Sequence, residues 1–136
     1  MIYLAGPYTD KDSEAMELRY LLLTQIGLHF MNHGEMIFSP ITHGHALEQV
    51  SDITNIPYER WIAHGLWALQ KSDRMYVCEL PGCEVSKGVN IEIEYATVFE
   101  KPYEFIGPEQ IKAMDEVDND LFDKLEKLVE ERNVTN

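Results

Sequence analysis

Four short apolar runs, separated by segments with helical periodicity, constrain the fold more than any other feature of this chain. They occupy residues 2–5, 36–38, 75–78 and 103–106. The first, Ile2-Tyr3-Leu4-Ala5, starts almost at residue 1 and does not alternate with polar residues, the pattern of a central strand covered on both faces. After it, Asp12 or Ser13 can cap a helix running to about Asn32, with Leu18, Leu21, Leu22, Ile26 and Phe30 on its apolar side and Gly34 closing it. A second helix opens at Pro57 and reaches about Lys71. Trp61, Leu66 and Leu69 point it toward the sheet, while His64 and Gly65 interrupt its middle. A third begins near Ser86 and ends around Phe99, before the boundary at Lys101-Pro102. Residues 108–132 form a C-terminal helical extension in which Ile111, Met114, Val117, Leu121, Leu125 and Leu128 recur at spacings of three to four. It continues as one helix or breaks near Asp118-Asn119-Asp120, and residues 133–136 are expected to be loose. Strands alternating with helices predict an α/β domain over residues 1–136: a three-layer, Rossmann-like (flavodoxin-like) fold around a mostly parallel sheet of four or five strands.

Charge narrows the function. The 136 residues carry 24 acidic side chains against 11 lysines and arginines, a formal charge of -13. Such a surface repels phosphate backbones and anionic bilayers, so neither polymeric nucleic acid nor a membrane is an expected partner, although local donors can still hold a small nucleotide. No segment is long and apolar enough to span a bilayer, and the first residues lack the basic region of a signal peptide. Cys78 falls in an apolar run as a buried thiol and Cys83 in a loop, consistent with a reducing cytoplasm. There is no GxGxxG after the first strand, no GxxxxGK[ST] and no GxSxG. A standard dinucleotide fold, a P-loop and a serine hydrolase are therefore disfavoured.

The candidate chemistry lies in the loops that follow strands. The stretch from Ser86 to Ala96 follows a strand and a loop containing Pro81-Gly82, with Ser86 as N-cap. At about 100° per residue, Val89, Ile93, Ala96 and Phe99 define one buried face. Glu92 lies within roughly 50° of the centre of that face, whereas Glu94 points away. A carboxylate aimed inward is costly unless something uses or pairs it. Gly6, Pro7, Tyr8 and Thr9 follow the first strand, at the carboxyl edge where open parallel sheets bind ligands. Arg19 either solvates the surface or reaches back to a carboxylate or phosphate. Ser39-Pro40-Ile41-Thr42-His43-Gly44-His45 reads as a polar loop pivoting at Gly44. His43 and His45 there suit ligand hydrogen bonding, acid–base work or plain loop contacts, and without a third ligand at supporting spacing no metal is expected. Residues 46–57 show little periodicity and read as a long loop with one short helical turn at most, of the kind that serves as a lid. Asp73 either caps locally or joins a site.

Taken together, Ile2-Tyr3-Leu4-Ala5-Gly6-Pro7-Tyr8, Phe38-Ser39-Pro40-Ile41-Thr42-His43-Gly44-His45, Leu80-Pro81-Gly82, and Ser86-Lys87-Gly88-Val89 followed by Glu92 resemble a DUF1937-type protein over about residues 1–106. These proteins are similar to the nucleoside 2-deoxyribosyltransferase superfamily, which includes nucleoside 5'-monophosphate N-glycosidases. The resemblance implies that Glu92 is the catalytic nucleophile and that Tyr8, with Tyr3 as the alternative, orients nucleophile or substrate. It places Ser86 on a 5'-phosphate, and helix N-terminal amides near Gly88 and Val89 favour a phosphate or the ionised Glu92. His43 and His45 join Tyr8 as candidates for catalysis, and Gly6, Pro7, Arg19, Pro40 and Asp73 are further candidates for substrate contact. Two departures stand out: Gly65 near the position of an acidic residue that assists base protonation, for which His64 or a loop histidine could substitute, and Glu100-Lys101-Pro102 in place of Gly-Lys-Pro. The expectation is an N-glycosidase or deoxyribosyltransferase acting on a nucleoside or nucleotide, without cofactor, as a homodimer or larger homo-oligomer. The alternative is a catalytically silent nucleotide-binding or interaction module that has kept the fold.

Overall fold

The computed structural model describes residues 1–50 and 56–135. The order of elements is β1 (Ile2–Ala5), α1 (Ser13–Asn32), β2 (Ile37–Phe38), α2 (Pro40–Gln49), α3 (Tyr58–Lys71), β3 (Arg74–Cys78), a single 3-10 turn (Cys83–Val85), α4 (Lys87–Val98), β4 (Tyr103–Ile106), α5 (Pro108–Lys112) and α6 (Asn119–Thr135). The strands pair in the order β2-β1-β3-β4, and every pairing is parallel. This is a Rossmann-like three-layer α/β fold with four strands. The chain leaves β1 toward one edge and later leaves β3 toward the other, so the ligand-binding crevice of such a sheet lies between the carboxyl ends of β1 and β3.

Alternation along β1 sorts its side chains between the two helical layers. Ile2 and Leu4 join α1, α5 and α6 in one core with Leu22, Ile26, Ile111 and Phe122. Tyr3 and Ala5 join α3 and α4 in the other, with Leu69, Met75, Val77, Val89 and Ala96. All four β1 residues are buried, as a continuous apolar run requires.

Polar side chains start the helices. Asp12 accepts the Glu14 N–H at 2.9 Å to open α1, and Ser86 accepts the Val89 N–H at 3.3 Å to open α4. Each such cap is worth about 1 kcal/mol.

Several expectations change. The segment read as a loop at residues 39–45 is the start of α2: Ser39 caps it by accepting the Thr42 N–H at 3.2 Å, and Pro40 occupies the first turn. Of the long loop expected at 46–57, residues 46–49 continue that helix, and residues 51–55 lie outside the described residues. The C-terminal extension breaks into α5 and α6, and α6 runs on through residues expected to be loose as far as Thr135, leaving Asn136 outside the described residues. Phe99 is the C-cap of α4 and lies 58% exposed against Tyr95 instead of in the core, because the helix ends before it turns inward. Among the described residues no helix is long and apolar enough to cross a membrane.

Candidate active site

A cavity of about 710 Å³ opens at the carboxyl ends of β1 and β3, between the starts of α2, α3 and α4. Glu92 is at its inner end. Residue 92 lies between Val89 and Ala96 on the buried side of α4, so the helix turns its carboxylate inward, and only 9% of the residue is exposed. Glu94, two residues on, faces solvent.

One group compensates the burial. Tyr3 projects from β1 into the α3–α4 layer, and its hydroxyl donates to Glu92 Oε2 in a short hydrogen bond. Burial pushes the Glu92 carboxyl up to about 7, and the Tyr3 bond pulls the other way without cancelling it. Burial, and then the neighbouring Glu92 charge, raise the Tyr3 phenol well above its ordinary value, so it stays a donor. Room for that phenol comes from α3. A Cβ added at Gly65 would lie 2.8 Å from the Tyr3 oxygen, closer than any real contact. The glycine that seemed to interrupt a helix is where the helix passes over the tyrosine.

A second hydrogen-bonded chain enters from the opposite wall. The Tyr8 hydroxyl meets His45 Nδ1 at 2.7 Å, and His45 Nε2 meets Glu17 Oε2 at 3.0 Å. The Tyr20 ring stacks on His45 with centroids 3.9 Å apart, which fixes the plane of the imidazole. Burial, then the charges of Glu48 and Glu17, push the Tyr8 phenol up to about 12, so Tyr8 also remains protonated.

The third wall is the start of α4. Ser86, Lys87 and Gly88 line the cavity. The amides of Lys87 and Gly88 are in the first turn, where no intrahelical acceptor exists, and they carry the positive end of the helix dipole. Lys87 is the one lysine or arginine among the described lining residues, and its Nζ lies 5.5 Å from the centre of the Tyr58 ring. Tyr58, Trp61 and Ile62 supply an apolar wall facing it.

Of the residues singled out from sequence, Gly6, Tyr8, Pro40, His45, Ser86, Gly88 and Glu92 line this cavity. Five others are placed elsewhere. His43 is exposed on α2, stacked on His64 with centroids 5.4 Å apart. Residues two apart on a helix diverge by about 200°, so once the segment is helical only one of the two histidines can face the cavity. Asp73 is at the amino end of β3, the far edge of the sheet, where its carboxylate meets the Met1 amino group at 2.5 Å. Pro7 is buried off the cavity, and the Val89 side chain is core, its amide engaged by Ser86.

Arg19 is buried and directed into the scaffold. Its guanidinium donates to the Tyr8 carbonyl at 3.3 Å, to Asp10 Oδ2 at 3.1 Å and to the Pro81 carbonyl at 3.0 Å. It thereby ties the loop after β1 to the loop after β3, the two sides of the crevice. Gly82 permits this: its φ is +91°, and a Cβ there would be 2.5 Å from the guanidinium.

Tyr3, the alternative to Tyr8 in the sequence, is the tyrosine whose hydroxyl meets Glu92. Its position on the same strand face as Ala5 was legible from alternation, but its partner is 89 positions away. Glu17 stands on α1 near Arg19 and Tyr20, and no sequence pattern pairs it with His45.

A family model described as a domain of unknown function (DUF1937) matches residues 1–107, a span that includes every residue lining the cavity. No curated protein matches the chain.

Proposed function

The chain belongs to the DUF1937 family, and from the chemistry of its cavity we propose that it cleaves the base–sugar bond of a nucleoside or nucleoside 5'-monophosphate, with Glu92 as nucleophile. The observation that carries this reading is a buried carboxylate, held by one tyrosine, at the inner end of a cavity whose rim is a helix N-terminus. Glu92 attacks C1' of the sugar while the C1'–N bond breaks and its electron pair leaves with the base. The glycosyl ester so formed is then attacked at C1' by water, or by a second base, which returns the carboxylate. Tyr3 keeps one carboxylate oxygen oriented, leaving the other for attack. A phosphate fits against Ser86, the Gly88 amide and Lys87, and the base fits against Tyr58 and Trp61.

Leaving-group protonation falls to Tyr8. The Tyr8 hydroxyl, held by His45 Nδ1 while His45 Nε2 meets Glu17 Oε2, gives its proton to the departing base and recovers one from the attacking water. This relay takes the place of an acidic residue at position 65, where Tyr3 leaves no room for a side chain.

Exposed apolar side chains on the α3–α4 layer, Trp67, Val98 and Phe99, and Phe105 on the edge strand β4 support pairing of two copies on that side. Light scattering on the purified chain reads the stoichiometry.

The activity test is incubation with a panel of nucleosides and their 5'-monophosphates, following free base by chromatography. Turnover that falls at least a thousandfold in Glu92→Ala is the expected outcome. Tight binding of a monophosphate with no base release from the wild type would assign the cavity to a silent nucleotide-binding module.

A further inference from the structure

Away from the cavity, the last turn of α1 and the segment between α5 and α6 bring together three side chains that the proposed reaction does not use. His29 lies in the last turn of α1 and His33 is its C-cap, and their ring centroids are 4.3 Å apart. Glu116 reaches them from the C-terminal extension, its Oε1 lying 2.7 Å from His29 Nδ1. One ligand atom from each of the three lies within 4.8 Å of the other two.

We propose that His29, His33 and Glu116 bind one divalent transition-metal ion of the zinc class, clipping the C-terminal extension to α1. Two imidazoles and a carboxylate are the donor set that suits zinc, cobalt(II) or nickel(II) and disfavours magnesium and calcium. Ligands of a tetrahedral zinc at about 2.1 Å sit roughly 3.4 Å from one another, so the His29–Glu116 pair, now at 2.7 Å, opens slightly while His33 closes in from within 4.8 Å.

The surroundings already orient the ligands. His33 Nδ1 donates to the His29 carbonyl at 2.8 Å, which fixes that tautomer and leaves Nε2 with its lone pair. Asn32 Nδ2 donates to Glu116 Oε2 at 3.0 Å, holding the carboxylate with Oε1 toward the histidines. These are the outer-shell bonds that metal-ligating histidines and carboxylates carry. The metal displaces the proton shared between His29 and Glu116. A fourth position remains for water, because His33 is on the surface.

The placement has a consequence for the fold. His29 and His33 lie within the family-matched residues 1–107, and Glu116 lies outside them. A metal here joins the family domain to its appended helices, as the Arg132–Asp10 ion pair does at the other end of α6.

The test is calorimetric titration of the full chain with zinc chloride in excess magnesium, paired with melting curves and the visible spectrum of the cobalt(II) form. Expected are one bound ion per chain, a higher melting temperature with zinc, and tetrahedral cobalt bands. Binding should weaken at least tenfold in His33→Ala and in Glu116→Gln, and more in the His29→Ala, His33→Ala double variant. Circular dichroism checks that these surface variants remain folded. His64→Ala serves as a control, since His43 and His64 are a second pair of neighbouring histidine rings among the described residues. Binding that survives the double variant, that is lost in His64→Ala, or that magnesium competes away would overturn the proposal, leaving His29 and Glu116 as a hydrogen-bonded latch only.

Discussion

Replacing Glu92 by Gln should make the protein more stable, and the gain should depend on pH. An ordinary glutamate ionises near 4.5, whereas burial holds Glu92 protonated up to about 7. Between those values the folded chain keeps a proton that the unfolded chain has lost. Stability therefore falls as pH rises through this window. The full cost of ionising the buried group, reached above pH 7, is roughly 3 kcal/mol, at about 1.4 kcal/mol per pH unit of displacement. Glutamine keeps the shape and can still accept from Tyr3, but it has no charge to bury. Near pH 4 the two proteins should melt together. By pH 8 the variant should lead by up to roughly 3 kcal/mol, or about 10 °C for a chain of this size. Urea unfolding of both proteins across pH 4–8 measures this directly, and other titrating groups cancel in the difference. A difference that stays flat, or a variant less stable at pH 8, would mean that the Glu92 carboxylate is compensated where it sits and that burial does not control it. Such a gain on removing the proposed nucleophile is the usual sign of a site that holds a costly group for use.

Other perturbations probe the neighbours of Glu92. Tyr3→Phe removes the hydrogen bond that lowers the Glu92 pKa, a bond to a charged group worth roughly 1.5–3 kcal/mol, so the acid limb of base release should move up by about one to two pH units. An unmoved pH–rate profile would show that Tyr3 does not control the proposed nucleophile, Glu92. Gly65→Ala raises helix propensity by about 1 kcal/mol but sets a Cβ against the Tyr3 hydroxyl. It should cost most of the activity without the stability gain that propensity alone predicts, as melting curves and base release together would reveal. Asp10 is buried between Arg19 at 3.1 Å and Arg132 at 2.5 Å. Burial raises its pKa, but bonds from Arg132 and the Asp12 amide and the Arg19 charge outweigh this and hold it low. Asp10→Asn leaves the buried guanidinium without its counter-charge and should cost about 3 kcal/mol near neutral pH, a loss that shrinks as pH falls through the lowered Asp10 pKa. Urea melts at two pH values give both numbers.

What the amino-acid sequence determined by itself was local. The unbroken apolar run of β1 required a central strand, the alternation of periods gave a parallel sheet between helical layers, and Ser86 marked the start of α4. The same periodicity turned Glu92 inward and Glu94 outward, so the most informative residue of the site was legible without coordinates. Residues 39–45 carried a legible signal as well, since Ser39 before Pro40 is an N-cap followed by a first-turn proline. Reading them as a loop let His43 and His45 converge, and the helix separates them. Other assignments needed the tertiary structure. Arg19 binds a carbonyl 62 positions away, Tyr3 a carboxylate 89 positions away, and His29 a carboxylate 87 positions away. Asp73, directly before β3, belongs to the amino edge of the sheet by chain order, and the structure adds only its partner there, the Met1 amino group. A periodic pattern tells which side of its own helix or strand a residue faces. It does not tell which element packs against that side, and this is decided by how the layers close over the sheet.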